Sequence, residues 1–177
     1  MTTPPNTSKA SLIGWDQRPG EGHLDALLRS TVLSQAGNYG DEGVLAEAQN
    51  RFNQYIGEPN SLHPDIRGLV YSLCAQNGSR NTYDQLWHLA KNTDLQEEYV
   101  RLLIGLTRFT SPELLQETLT RSLTDDVRLQ DTITVVTAVA ANLNGRDLAW
   151  NFLKDQWEEF DKRYGGGGFG LMRLVSI

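Results

Sequence analysis

From about residue 21 to its end, this chain places apolar residues at steps of three and four and interrupts them with helix-stopping chemistry. That period is the period of an α-helix, and no segment shows sustained strand alternation between hairpin turns. The spacing therefore predicts an all-α protein.

The first predicted helix covers about Glu21–Ala36, with Leu24, Leu27, Leu28 and Val32 as its apolar stripe and Gly37 as its stop. The second spans Asp41–Ile56, capped by Asp41, with Val44, Leu45, Ala48, Phe52, Tyr55 and Ile56 inward. The third starts at Pro64 and closes at Asn77-Gly78, and the fourth spans Asn81–Lys91, burying Tyr83, Leu86, Trp87 and Ala90. The fifth begins at Asp94, with Glu97 at capping-box spacing. The sixth opens on Ser111-Pro112-Glu113, the clearest start signal in the chain: a hydroxyl cap, a proline, then an acidic first turn.

The seventh, Val127–Leu143, is rich in β-branched residues but too long for an ordinary strand. The eighth, Gly145–Tyr164, repeats Ala149, Leu153, Trp157, Phe160 and Tyr164 until the four glycines Gly165–Gly168, and a ninth begins near Phe169.

Eight to nine helices joined by short turns predict antiparallel neighbours. Alternate helix starts lie roughly 30–43 residues apart, the interval of helix pairs that stack into a HEAT- or armadillo-like superhelix. The units share no residue signature, so the expectation is an irregular α-solenoid. It occupies residues 12–177 after a flexible segment over 1–11. The chain ends on the apolar run Leu171–Ile177, which predicts truncation of the domain at that end and self-association through an uncovered apolar face.

The chemistry the residues support is limited. With 22 acidic against 16 basic side chains the chain is acidic, and it has no basic run, which argues against nucleic acid as the partner. No apolar stretch reaches the roughly 18–20 residues of a membrane helix, and the polar start lacks a signal-peptide pattern. The expectation is a cytoplasmic protein without a membrane partner. The histidines His23, His63 and His88 are never four residues apart, and no His-Glu-x-x-His occurs, so no metal or other cofactor is expected in this chain. The single cysteine, Cys74, reads as a buried small hydrophobe. Gly165–Gly168 lacks the Lys-Ser/Thr of a phosphate loop. Arginines fall about one per helix and could line a face that attracts carboxylates. Arg29, Arg128 and, beside the latter, Gln130 are the candidates for a peptide-facing or domain-interface role, with Asp131 next to them.

Three segments carry a resemblance. They are Gly14-Trp15-Asp16 through Arg29 with Glu47-Ala48-Gln49-Asn50-Arg51-Phe52; Asp65-Ile66-Arg67-Gly68-Leu69-Val70-Tyr71 with Thr93–Glu98; and Val127–Thr132 with Gly145–Glu158 and Arg163-Tyr164-Gly165. In order and spacing they resemble the helical C-terminal domain of puromycin-sensitive-type zinc aminopeptidases, related to the endoplasmic-reticulum aminopeptidases. The resemblance implies a non-catalytic module that closes over a separate zinc-bearing catalytic domain. There it would enclose and gate a chamber for peptide substrate. It also implies that this chain is a fragment, since the catalytic domain is missing. A free-standing α-solenoid that binds peptides or partner proteins is the alternative.

Overall fold

The computed structural model describes residues 14–166 and 174. The described residues form nine helices and no strand, so the chain is all-α: α1 (His23–Asn38), α2 (Glu42–Gly57), α3 (Pro64–Gln76), α4 (Arg80–Lys91), α5 (Gln96–Leu106), α6 (Pro112–Arg121), α7 (Leu129–Ala140), α8 (Arg146–Asp155) and α9 (Trp157–Tyr164). The helix expected from Phe169 and the segment before Leu12 lie outside the described residues. The fold divides into two compact units, Met1–Cys74 and Ala75–Ile177.

In the first unit α1 packs on α2. Asp41 caps α2 as expected, its Oδ1 accepting the Val44 N–H at 3.1 Å. Phe52 and Tyr55 reach the buried Tyr71 ring, with centroids 6.3 and 6.0 Å apart. Cys74 is buried, and burial pushes its thiol up to about 12. That is the signature of a packing residue rather than a nucleophile.

The stripe expected on α1 is wrong by a rotation. Leu24, Leu27 and Leu28 are 79%, 52% and 56% exposed, and the buried residues are Ala26, Arg29, Leu33 and Gly37. Both sets follow the helical period, and size decides between them. A Cβ on Gly37 would lie 2.5 Å from Leu73 Cδ2, an approach that a leucine face does not permit. Gly37 therefore lies inside the helix instead of ending it. The left-handed turn falls on Gly40, at φ 82°.

In the second unit consecutive helices pack together (α4 on α5, α6 on α7, α7 on α8, α8 on α9), and so do alternate ones (α5 on α7, α6 on α8). All four residues expected inside α4 are buried, and Tyr83 stacks edge-on against Phe109 at 5.4 Å. Thr118 Oγ1 spends its proton on the Leu114 carbonyl, so the Tyr83 hydroxyl, 3.1 Å away, donates to it. Ser111 caps α6, accepting the Leu114 N–H at 3.3 Å.

Two other expectations fail. The residue before α5 is Leu95, and the turn is held by Thr93 Oγ1 accepting the Leu95 N–H, while Glu97 and Glu98 pair with Arg101. The carboxylates have a cationic partner one turn away and do not reach back to cap. The long eighth helix breaks at Gln156, where α8 ends and α9 begins. The break turns Trp157 outward, 41% exposed, and lets Phe160 bury itself against Phe152 at 6.1 Å.

No repeat is visible in the residues, yet one is visible in the contacts. Ser30 Oγ to Asp65 O, Arg51 to Asp16, Tyr83 to Thr118, Gln96 to Asp131, Asn142 to Thr107 O and Tyr164 to Leu129 O all join residues 35 positions apart. Each of these bonds lies within one of the two units.

Two positions are demanding. Asn142 donates to both Thr107 O (2.9 Å) and Phe109 O (2.8 Å), and a Cβ on Gly145 would lie 2.4 Å from the Val139 carbonyl oxygen. Backbone cannot yield as a side chain can, so Gly145→Ala should cost about 1–3 kcal/mol. Asn142→Ala, which strands two carbonyls, should cost a similar ~1–3 kcal/mol. Urea unfolding of each variant measures both.

Candidate functional site

Residues 14–22, which lead into α1, are the most densely tied irregular stretch of the first unit. The turn needs φ of 71° at Gly14 and 87° at Gly20, which glycine adopts without a Cβ clash. Arg51, on α2, holds this stretch from one side. Its Nη1 and Nη2 donate to Asp16 Oδ1 and Oδ2 at 2.8 and 3.0 Å, its Nε donates to Glu47 at 2.7 Å, and its guanidinium lies 5.3 Å over the Trp15 ring. This is the planar fork on a carboxylate that lysine cannot reproduce. Arg29, on α1, holds the other side through Glu21.

Electrostatics follow the pairing. The Arg51 hydrogen bonds hold the Asp16 carboxyl below its ordinary value of 3.8, and the Arg29 hydrogen bond does the same for Glu21, ordinarily 4.5. Burial works to lower the Arg51 pKa, but the Asp16 and Glu47 bonds outweigh it and raise the value.

Beside this clamp lies a cavity of about 250 Å³, whose lining includes Trp15, Arg29, Arg51, Ser61, His63 and Asp65. Arg29 is only 3% exposed, and its Nε–H has no hydrogen-bond partner; the same holds for the buried Ser61 Oγ. The sequence had singled out Arg29. It gave no pointer to Ser61, and none that Asp65 shares a cavity with Arg29, because only the approach of α1 to the start of α3 puts them on one lining.

Arg128 and Gln130 belong to the second unit. Arg128 is the N-cap residue of α7 and its guanidinium lies 4.6 Å over the Tyr99 ring. Gln130 is exposed. Asp131 is nearly buried and accepts from Gln96 Nε2 at 3.2 Å, while Tyr99 Oη donates to Asp126 O at 3.0 Å. Arg128 thus offers its guanidinium edge at an exposed helix start. Among the described residues, no three His, Cys, Asp or Glu side chains converge as metal ligands. No helix among them is long and apolar enough to cross a membrane.

The described residues thus make an all-α domain whose lead-in stretch is tied by two arginines to its first two helices. The chain belongs to the ERAP1-like C-terminal domain family, which it matches over residues 7–177. It is 37% identical over 162 residues to aminopeptidase M1-A of Oryza sativa subsp. japonica, covering 89% of this chain and 18% of that protein. It is 34% identical to aminopeptidase M1 of Arabidopsis thaliana, covering 94% and 19%, and 28% identical to aminopeptidase N of Bos taurus, covering 92% and 17%. The chain therefore spans less than a fifth of the length of these relatives.

The clamp gives a signed pH dependence. Asp16 and Glu21 have folded-state pKa values below their unfolded ones, so their contribution is present above the ordinary carboxylate values of 3.8 and 4.5 and is lost as pH falls through the lowered values. The urea midpoint should fall as the pH drops below about 4.5, and Arg51→Met should flatten that fall.

Proposed function

We propose that this chain is a non-catalytic C-terminal module of a zinc aminopeptidase, packing against the catalytic domain to enclose and gate its peptide chamber. The observation that carries this reading is the family match over nearly the whole chain, to relatives that are named aminopeptidases and are about five times as long. In this reading the zinc, with its Lewis-acid and water-activating chemistry, belongs to the catalytic domain.

The module's own contribution is shape. Its closure over the chamber excludes water and limits which peptides enter. The lead-in stretch clamped by Arg29 and Arg51 fixes where the first helix starts relative to the chain before it. Leu24, Leu27 and Leu28, exposed on α1, form an apolar face of the kind that marks a protein contact, and we assign it to the catalytic domain. Arg128 and Gln130 are the peptide-facing or interface candidates of the second unit, since a guanidinium edge suits a peptide carboxylate.

Incubated with zinc and an aminoacyl fluorogenic substrate, the purified chain should give no chelator-sensitive turnover; robust turnover would overturn the non-catalytic reading. Leu28→Asp should weaken capture of the separately expressed catalytic portion by at least roughly tenfold, measured by surface plasmon resonance, because burying an unpaired carboxylate is costly.

A further inference from the structure

The cavity beside the clamp has features that its structural role does not use. Two hydrogen-bond donors, Arg29 Nε–H and the Ser61 hydroxyl, are buried without partners. A buried donor left unmade is a standing cost, and native proteins relieve it with an acceptor. Both residues line the same cavity of about 250 Å³, far more than one water needs and below the size of a drug-like pocket.

At the same cavity Asp65 lies 3.6 Å from His63 Nδ1. The Asp65 N–H donates to that nitrogen at 3.3 Å, and among the described residues no lysine or arginine pairs with the Asp65 carboxylate. The cavity thus offers donors for an anion and a carboxylate for a cation. Ala26, Ile66 and Trp15 supply apolar lining.

Charge balance selects the ligand class. Arg29, Arg51 and Arg18 are already set against Glu21, Asp16 and Glu47, and Asp65 adds a further negative charge. A bare carboxylate meets no net attraction in such a field, and a simple amine leaves the two buried donors unmade. A molecule carrying both charges satisfies both ends. We infer that this cavity binds a free α-amino acid as its zwitterion. Its carboxylate accepts from Arg29 Nε and Ser61 Oγ, its ammonium lies on Asp65, and a modest apolar side chain rests against Ile66 and Ala26. The inference rests on the proposed aminopeptidase reading only for biological sense: free amino acids are the product class of that reaction, and a site for them on the accessory module is placed to report product level.

Isothermal titration of the 177-residue chain with L-leucine tests it, with leucinamide (no carboxylate) and 4-methylpentanoate (no ammonium) as comparison ligands. Saturable binding of leucine alone is expected. Ser61→Ala should weaken it about fivefold, the worth of one hydrogen bond, while leaving the urea midpoint unchanged or higher because an unpartnered hydroxyl is removed. Asp65→Asn should weaken leucine similarly. No saturable heat, equal binding of either analogue, or indifference to both substitutions overturns the inference. The result is independent of the module reading, because neither zinc nor a catalytic domain enters the measurement, whereas turnover by the chain would refute that reading and leave leucine binding untouched.

Discussion

Backbone groups between packed helices must find hydrogen-bond partners, and the rest of this fold depends on how they are met. Carbonyls in the turns and at the helix ends take their donors from side chains about 35 residues away along the chain. Asn142 satisfies Thr107 and Phe109, Thr110 donates to Gln76 O, Tyr164 to Leu129 O, and Ser30 to Asp65 O. These bonds have no identity in common beyond an offset of about 35 residues. They hold register where apolar packing alone would tolerate sliding.

The charged residues add a second layer of fixing at particular places. Arg121 joins Glu117 and Asp126 and lies 5.0 Å over the Trp87 ring, so one side chain ties α4, α6 and the turn before α7. Arg51 does the equivalent in the first unit, on Asp16, Glu47 and Trp15. Exposed ion pairs contribute little singly. Here the guanidinium also covers an aromatic face, and that combination positions a loop more than it stabilises a helix.

Local chemistry was legible where it acts within a few residues. Ser111-Pro112 and Asp41 read as caps and serve as caps, because a hydroxyl or carboxylate reaches a backbone N–H three residues on without help from the rest of the chain. The buried stripe of α4 was equally plain, since only one of its faces is apolar. On α1 two faces satisfy the same period, and the sequence favoured the leucines. Asp94 and Glu97 had the spacing of a capping box, but Arg101 lay closer for the carboxylate. Of the cavity, Arg29 was legible as an arginine on an early helix and Asp65 as the first residue of a family-like segment, whereas Ser61 carried no periodic or motif signal.

By itself the sequence determined the all-α class, the sites of most helix starts, the absence of a zinc motif, and the motif order that marks the family. The first three depend on residues within a turn or two of one another, and the last only on the order of segments along the chain. Tertiary structure decided which face of α1 is buried, where the long last pattern breaks, and which donors share a cavity. Those outcomes depend on how closely two backbones can approach, as at Gly37 against Leu73, and on groups brought together from distant parts of the chain. Arg29 shows the division: its place on a helix was readable from its neighbours, but its partnership with Glu21 and its unspent Nε–H exist only once the lead-in loop and the turn before α3 close around it.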